Sequence, residues 1–142
     1  MKGGVVVGVD GSDSSKAALN WAVSQGRATA SAVEVVAVVE PPVDWYGMVP
    51  QESDRDNAAE VAGKRLEEIV MEVVGKDPPV EIIMTIAQGN PASALIEASR
   101  DAQILVVGNR GHGRFSETLL GSVSLRCVQH ATPPVVVVHA VS

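Results

Sequence analysis

The sequence predicts an α/β fold, a five-stranded parallel sheet flanked by helices on both faces, on three observations. Five short, β-branched apolar runs recur along it: GVVVGV (4–9), VEVVAVV (33–39), VEIIMTIA (80–87), ILVVG (104–108) and PVVVVHA (134–140). The runs show little alternation of apolar and polar residues, so both faces of each strand are expected to be covered, as in a parallel sheet. Segments of helical character separate the runs, and right-handed crossovers turn a βαβαβαβαβ order into a doubly wound sheet.

The first run stops at Asp10 and leads into SDSSKAALNWAVSQGRATA. Here Ala17, Trp21 and Ala28 are joined by Ala18, Ala22 and Val23 on one stripe, with Ser12 or Asp13 as the cap. Residues 52–75 supply the second helix, in which Val61, Leu66, Ile69, Val70, Val73 and Val74 recur at three- and four-residue steps until Gly75 stops them. The connection before it, PPVDWYGMVPQESDRD (41–56), is long for a strand-to-helix loop. It is open to two readings, a lid or a loop pinned to the core by Trp45 and Tyr46. Asn90 and Pro91 read as cap and first position of a helix reaching Ser99. Ser122 to Ala131 form the last helix, and PVVVVHA is either an edge strand seeking a partner or a strand covered by a helix.

Length and composition bound the classes of function. A chain of 142 residues suits one domain, here 1–142. With 46% apolar residues and two Trp, one Tyr and one Phe, the core is aliphatic. The net charge of −6 argues against a polyanion-binding surface, so nucleic acid is not an expected partner. The opening MKGGVVVGVDGS is too short an apolar run for a signal peptide or membrane span, so no membrane association and a cytoplasmic location are expected. Cys127 stands alone, which fits a small buried side chain better than a redox role. His112, His130 and His139 lack metal-ligand spacing, so no direct metal site is expected.

In open parallel sheets ligands bind beyond the carboxyl ends of the strands, where crossovers change direction. The relevant loops therefore follow Val9, Val39, Ala87 and Gly108. The first, VDGSDSS, carries Asp10 and Asp13 with no base before Lys16, so phosphates placed there would meet like charge. Asp10 is suited to accept hydrogen bonds from a ribose hydroxyl or an adenine amino group, or to bond its own turn. The fourth loop, GNRGHGRFSETLLGSVS (108–124), has the opposite chemistry. Arg110, His112, Arg114 and Arg126 lie within 19 residues, 108–126, that contain one acid, Glu117. Gly108, Gly111 and Gly113 let backbone amides approach oxygens closely, while Gly121 and Ser122 open a helix whose amino end favours negative charge. Two half-sites would clamp one phosphate chain, with 112–120 as a flap between them. Neither a Walker A loop nor a GxGxxG fingerprint after the first strand is present.

Glycine, two residues, glycine, nine residues, glycine and serine, at Gly108, Gly111, Gly121 and Ser122, resembles the signature of the universal stress protein family, in its UspA-like, ATP-binding subclass. The resemblance extends to VVVGVDGSDSS, VVGNRGHG, GSVS and the valine-rich run after HATPP, and covers the chain apart from 41–56. It implies a Rossmann-like single domain of the adenine nucleotide alpha hydrolase-like type, produced under stress and commonly a homodimer through the last strand. It implies ATP as ligand, with magnesium held only through the phosphates, and AMP or cyclic AMP as alternatives. The residues expected at the site are Val9, Asp10, Gly11, Val38, Val107, Gly108, Arg110, Gly111, His112, Gly113, Gly121, Ser122, Val123 and Ser124. By position, Asp10 contacts the adenosine, Val38 lies beside the adenine, and Gly108 and Gly111 line the ribose and phosphate path. Gly121, Ser122, Val123 and Ser124 receive phosphates through backbone and hydroxyl groups. Arg110 and His112 are phosphate neighbours or exposed, solvated side chains.

Catalysis needs a nucleophile, a base and usually a metal. Ser116, Ser122 and Ser124 offer hydroxyls, yet Glu117 is the only candidate base in 108–124. The expected function is therefore binding, a nucleotide-dependent role in stress response or signalling, with slow ATP hydrolysis or autophosphorylation as the alternative. An adenylating enzyme of the pyrophosphatase-loop type is disfavoured because Asp10 stands where that loop should be neutral.

Overall fold

The computed structural model describes residues 3–40, 52–110 and 120–140. Among the described residues nine elements alternate: β1 (Val5–Gly8), α1 (Asp13–Thr29), β2 (Val33–Val39), α2 (Glu52–Val73), β3 (Ile82–Gln88), α3 (Pro91–Ala98), β4 (Ile104–Gly108), α4 (Ser122–His130) and β5 (Val135–Val138). The five strands form one sheet in the order β3-β2-β1-β4-β5, every neighbour parallel. The winding direction reverses between β1 and β4, which places the switch point at the middle of the sheet.

The unbroken valine run of β1 follows from its central position. Side chains alternate along a strand, so Val5, Val7 and Val9 join Ala18, Leu19, Leu66 and Val70 on the α1 and α2 face. Val6 turns the other way and packs with Val36, Leu95, Leu105, Val107 and Cys127 on the α3 and α4 face. Val5, Val6 and Val7 are all wholly buried, and each such side chain contributes roughly 1.5–3 kcal/mol relative to exposure. The edge strands are different. Each valine of β5 is only half-buried, and Met84 of β3 is exposed, because fewer elements overlap the sheet margins.

The helix starts follow from local chemistry. The Ser12 hydroxyl accepts the Ser15 amide at 3.3 Å, and the Asn90 side chain accepts the Ser93 amide at 3.1 Å ahead of Pro91. Two stripe residues depart from expectation. Ala28 is exposed, as is Val61, while Leu19 and Gly26 are buried in α1. Gly26 fits because a Cβ there would lie 2.7 Å from Val33 Cγ2 and 2.9 Å from the Ser31 carbonyl oxygen. The loop that contains Trp45 and Tyr46 lies outside the described residues. Among the described residues no helix is long and apolar enough to cross a membrane.

Candidate functional site

A cleft of about 760 Å³ opens at the carboxyl ends of β1, β2 and β4, at the switch point of the sheet. Its floor is formed by Gly8, Val9, Val36, Val38, Val107 and Gly108, and Pro91 and Leu95 of α3 make one wall. This part is aliphatic and suits a flat heteroaromatic ring. Asp10 and Glu40, at the ends of β1 and β2, place two carboxylates on its rim. Arg110 and the segment Leu120, Gly121, Ser122, Val123 and Ser124 line the remainder.

The first turn of α4 is built differently from that of α1. In α1 the cap is filled by Ser12, and Asp13 adds a negative charge to the first turn. In α4 the cap residue is Gly121, which supplies no side-chain hydrogen bond, and no acid stands in the first turn. The leading amides of a helix have no partner within it, and its amino end carries partial positive charge. An anion lying in the cleft against Gly121 and Ser122 would satisfy both.

The β1–α1 turn uses part of Asp10 for itself. Its Oδ1 accepts the Ser12 amide at 2.9 Å and the Ser12 hydroxyl at 2.5 Å, while the Asp10 amide donates to Ser15 Oγ at 3.3 Å. The turn-forming role is thus present, and Asp10 stays exposed on the cleft rim. Gly11 adopts φ +88° and is not among the residues that line the cleft. It faces a neighbouring hollow with Lys16 and Arg65, where a Cβ would lie 2.9 Å from Arg65 Nη2.

Two further expectations change in detail. The sequence expects Gly108 to permit close approach by a ligand, but a Cβ there would lie 2.5 Å from Ser14 Oγ, 2.7 Å from the Ser14 carbonyl carbon and 2.8 Å from the Ser15 amide nitrogen. Its glycine identity is required by the first turn of α1. Ser124 is 3% exposed, and its hydroxyl donates to the Gly121 carbonyl at 3.0 Å and lies 3.3 Å from the Asn109 carbonyl. That hydrogen is directed to the backbone, which leaves the Ser124 amide as its group for an anion.

Of the expected site residues, Val9, Asp10, Val38, Val107, Gly108, Arg110, Gly121, Ser122, Val123 and Ser124 come together on one cleft. Gly111, His112 and Gly113, with most of the 112–120 flap, lie outside the described residues. The cleft also takes in Gly8, Ser15, Val36, Glu40, Pro91 and Leu95, none of them expected from sequence at the site, and Leu120, the last residue of the 112–120 flap. Leu95 and Gly8 form a pair, since a Cβ on Gly8 would meet Leu95 Cδ1 at 2.6 Å.

The sequence profile of the universal stress protein family matches residues 3–139. The chain belongs to that family. Among curated members, a universal stress protein of Mycolicibacterium smegmatis is 35% identical over 141 residues, which span 96% of this chain and 48% of the relative. The chain thus spans about half the length of the curated relatives it matches. Universal stress protein UspA from Lactobacillus plantarum superposes with a TM-score of 0.74 at 19% identity, covering 96% of this chain and 97% of that one, which shows the shared fold. A universal stress protein solved in complex with cAMP superposes with a TM-score of 0.64 at 26% identity, covering 99% and 98%.

Proposed function

We propose that this universal stress protein binds ATP in the cleft at the switch point and acts as a nucleotide-dependent stress-response or signalling protein. The observation that carries the reading is the division of the cleft: an aliphatic pit rimmed by Asp10 and Glu40 at one end, and Arg110 with the glycine-capped amino end of α4 at the other. A base and ribose suit the first half, and a phosphate chain suits the second. Ser122, Val123 and Ser124 offer consecutive amides to the phosphates, the Gly121 amide being held by the Asn109 carbonyl, and magnesium would be held through the phosphates. The half-exposed valines of β5 support a homodimer through that strand, since an apolar edge favours pairing.

Cyclic AMP is the second reading, favoured by the 26%-identical relative solved with it. The two readings separate by calorimetric titration of the purified protein with ATP, ADP, AMP and cyclic AMP. The ATP reading expects affinity to rise with phosphate number, because each added phosphate moves toward Arg110 and the end of α4. Tighter binding of cyclic AMP than of ATP transfers the assignment to the second reading, and no binding of any of the four at millimolar concentration overturns both.

A further inference from the structure

The side chain of Ser14 serves the loop after β4 rather than its own helix. Ser14 is 4% exposed, and its hydroxyl donates to the Arg110 carbonyl at 2.7 Å while accepting the Arg110 amide at 3.3 Å. One buried hydroxyl therefore holds both backbone polar groups of a residue 96 positions away in sequence. The same oxygen occupies the space that a side chain on Gly108 would fill.

We infer that Ser14 is a positioning residue that sets the selectivity of the cleft for the phosphate chain over the nucleoside alone. The inference rests on the nucleotide reading given above. Its basis is the way the two halves of the cleft are supported. Asn109 is fixed by its amide donating to the Val138 carbonyl at 2.9 Å and by its carbonyl accepting the Gly121 amide at 2.7 Å. Arg110 is the next residue, and Ser14 ties both of its backbone polar groups to α1. Ser12 Oγ also lies 3.3 Å from the Arg110 carbonyl, but its single hydrogen has Asp10 Oδ1 at 2.5 Å, so it does not replace Ser14. The base half is formed by Val36, Val38 and Leu95. None of these bonds to Ser14, so loosening Arg110 disturbs the phosphate half and leaves the base half in place.

The test compares ATP with adenosine on the full chain, by calorimetry, for the parent and for Ser14→Ala. A typical buried hydrogen bond contributes enough that its loss lowers affinity about tenfold, and this loss is expected for ATP with adenosine affinity unchanged. Equal losses for both ligands, or no loss for either, overturn the inference. If Ser14→Ala does not fold, Ser14→Cys supplies the same comparison, with a weaker hydrogen-bonding group at the same position. Amide hydrogen exchange gives a readout free of nucleotide. Exchange at Arg110 should accelerate at least several-fold in the variant while Val107 stays protected, and unchanged exchange at Arg110 overturns the positioning role. A parent protein that binds neither ATP nor adenosine overturns the nucleotide reading instead, and the exchange measurement still decides whether Ser14 holds Arg110.

Discussion

The amide of Gly121 donates to the carbonyl of Asn109 across 2.7 Å, so the chain that leaves β4 returns to the start of α4 at one fixed point. Ser124 reinforces the junction from below, its hydroxyl lying 3.0 Å from the Gly121 carbonyl and 3.3 Å from the Asn109 carbonyl. The amino end of α4 is thereby held against the cleft, with a cap residue, Gly121, that makes no side-chain hydrogen bond.

Gly121→Val tests whether that bare helix end receives phosphate. A β-branched side chain at the cap would stand between the first amides and the cleft. Loss of a favourable cap residue costs about 1 kcal/mol of stability, which a domain of this size tolerates. The expected outcome is a folded protein, judged by circular dichroism, whose ATP affinity falls by at least about tenfold, a free-energy change of about 1.4 kcal/mol. Unchanged ATP affinity in a folded variant removes α4 from the binding site.

The two roles of Asp10 are separable by a pair of substitutions. Asp10→Asn keeps an oxygen for the Ser12 amide and hydroxyl, so the turn persists and thermal stability changes little. Asp10→Ala removes that acceptor and is expected to cost about 0.5–1.5 kcal/mol, read in denaturant titrations. If the carboxylate also meets the adenosine, adenosine binding weakens in both variants. Weakening in the alanine variant alone assigns Asp10 to the turn.

The reach of the sequence over this fold and cleft varies with the range of the interaction involved. β2 and β4 begin and end where their apolar runs do, because the chain around them is polar or turn-forming and the signal is local. The stripe of α1 was less clear. A run of alanines drew the pattern toward Ala28, whereas burial follows Leu19 and Gly26, which pack on strands far along the chain. In the cleft, the glycine spacing and the charge contrast around Gly121 and Asp10 were visible from the residues alone. Glu40 was not, since one acid after a strand carries no pattern and reaches the rim only through the register that pairs Val39 with Gln88. Ser14 is hidden in a polar DGSDSS stretch that reads as a turn. Its burial depends on Gly108, and no local rule links the two.

Gly108→Ala puts that link under strain. The added methyl would lie 2.5 Å from Ser14 Oγ and also 2.7 Å and 2.8 Å from backbone atoms of Ser14 and Ser15, so the helix itself would have to shift. Overpacking of this kind costs about 1–3 kcal/mol. Thermal unfolding should show a drop of roughly 4–8 °C per kcal/mol for a smaller domain and somewhat less here. Because two of the three close atoms belong to the backbone, combining Gly108→Ala with Ser14→Ala should recover only a small part of the loss. Full recovery would place the whole conflict at the hydroxyl.

Cys127 gives the structure a pH dependence of defined sign. Its side chain is wholly buried on the α3 and α4 face, and desolvation pushes the thiol up from 9.0 to about 11, against a smaller opposing effect of Arg126. The unfolded thiol loses its proton near 9.0 and the folded one near 11, so the unfolded state binds fewer protons between these values. The contribution is therefore fully present below pH 9 and is lost as pH rises through 11, an effect on the order of 2 kcal/mol. Denaturant titrations of the parent and of Cys127→Ala at pH 8 and pH 11 read it directly. The alanine variant starts lower by roughly 1 kcal/mol for the lost sulfur contacts and should lose less stability between the two pH values. A disulfide reagent at pH 8 should label Cys127 only as fast as the protein opens, with the rate rising in step with added denaturant. Rapid labelling of the folded protein would mean that the thiol is reached without unfolding and would cancel the expected difference in slope.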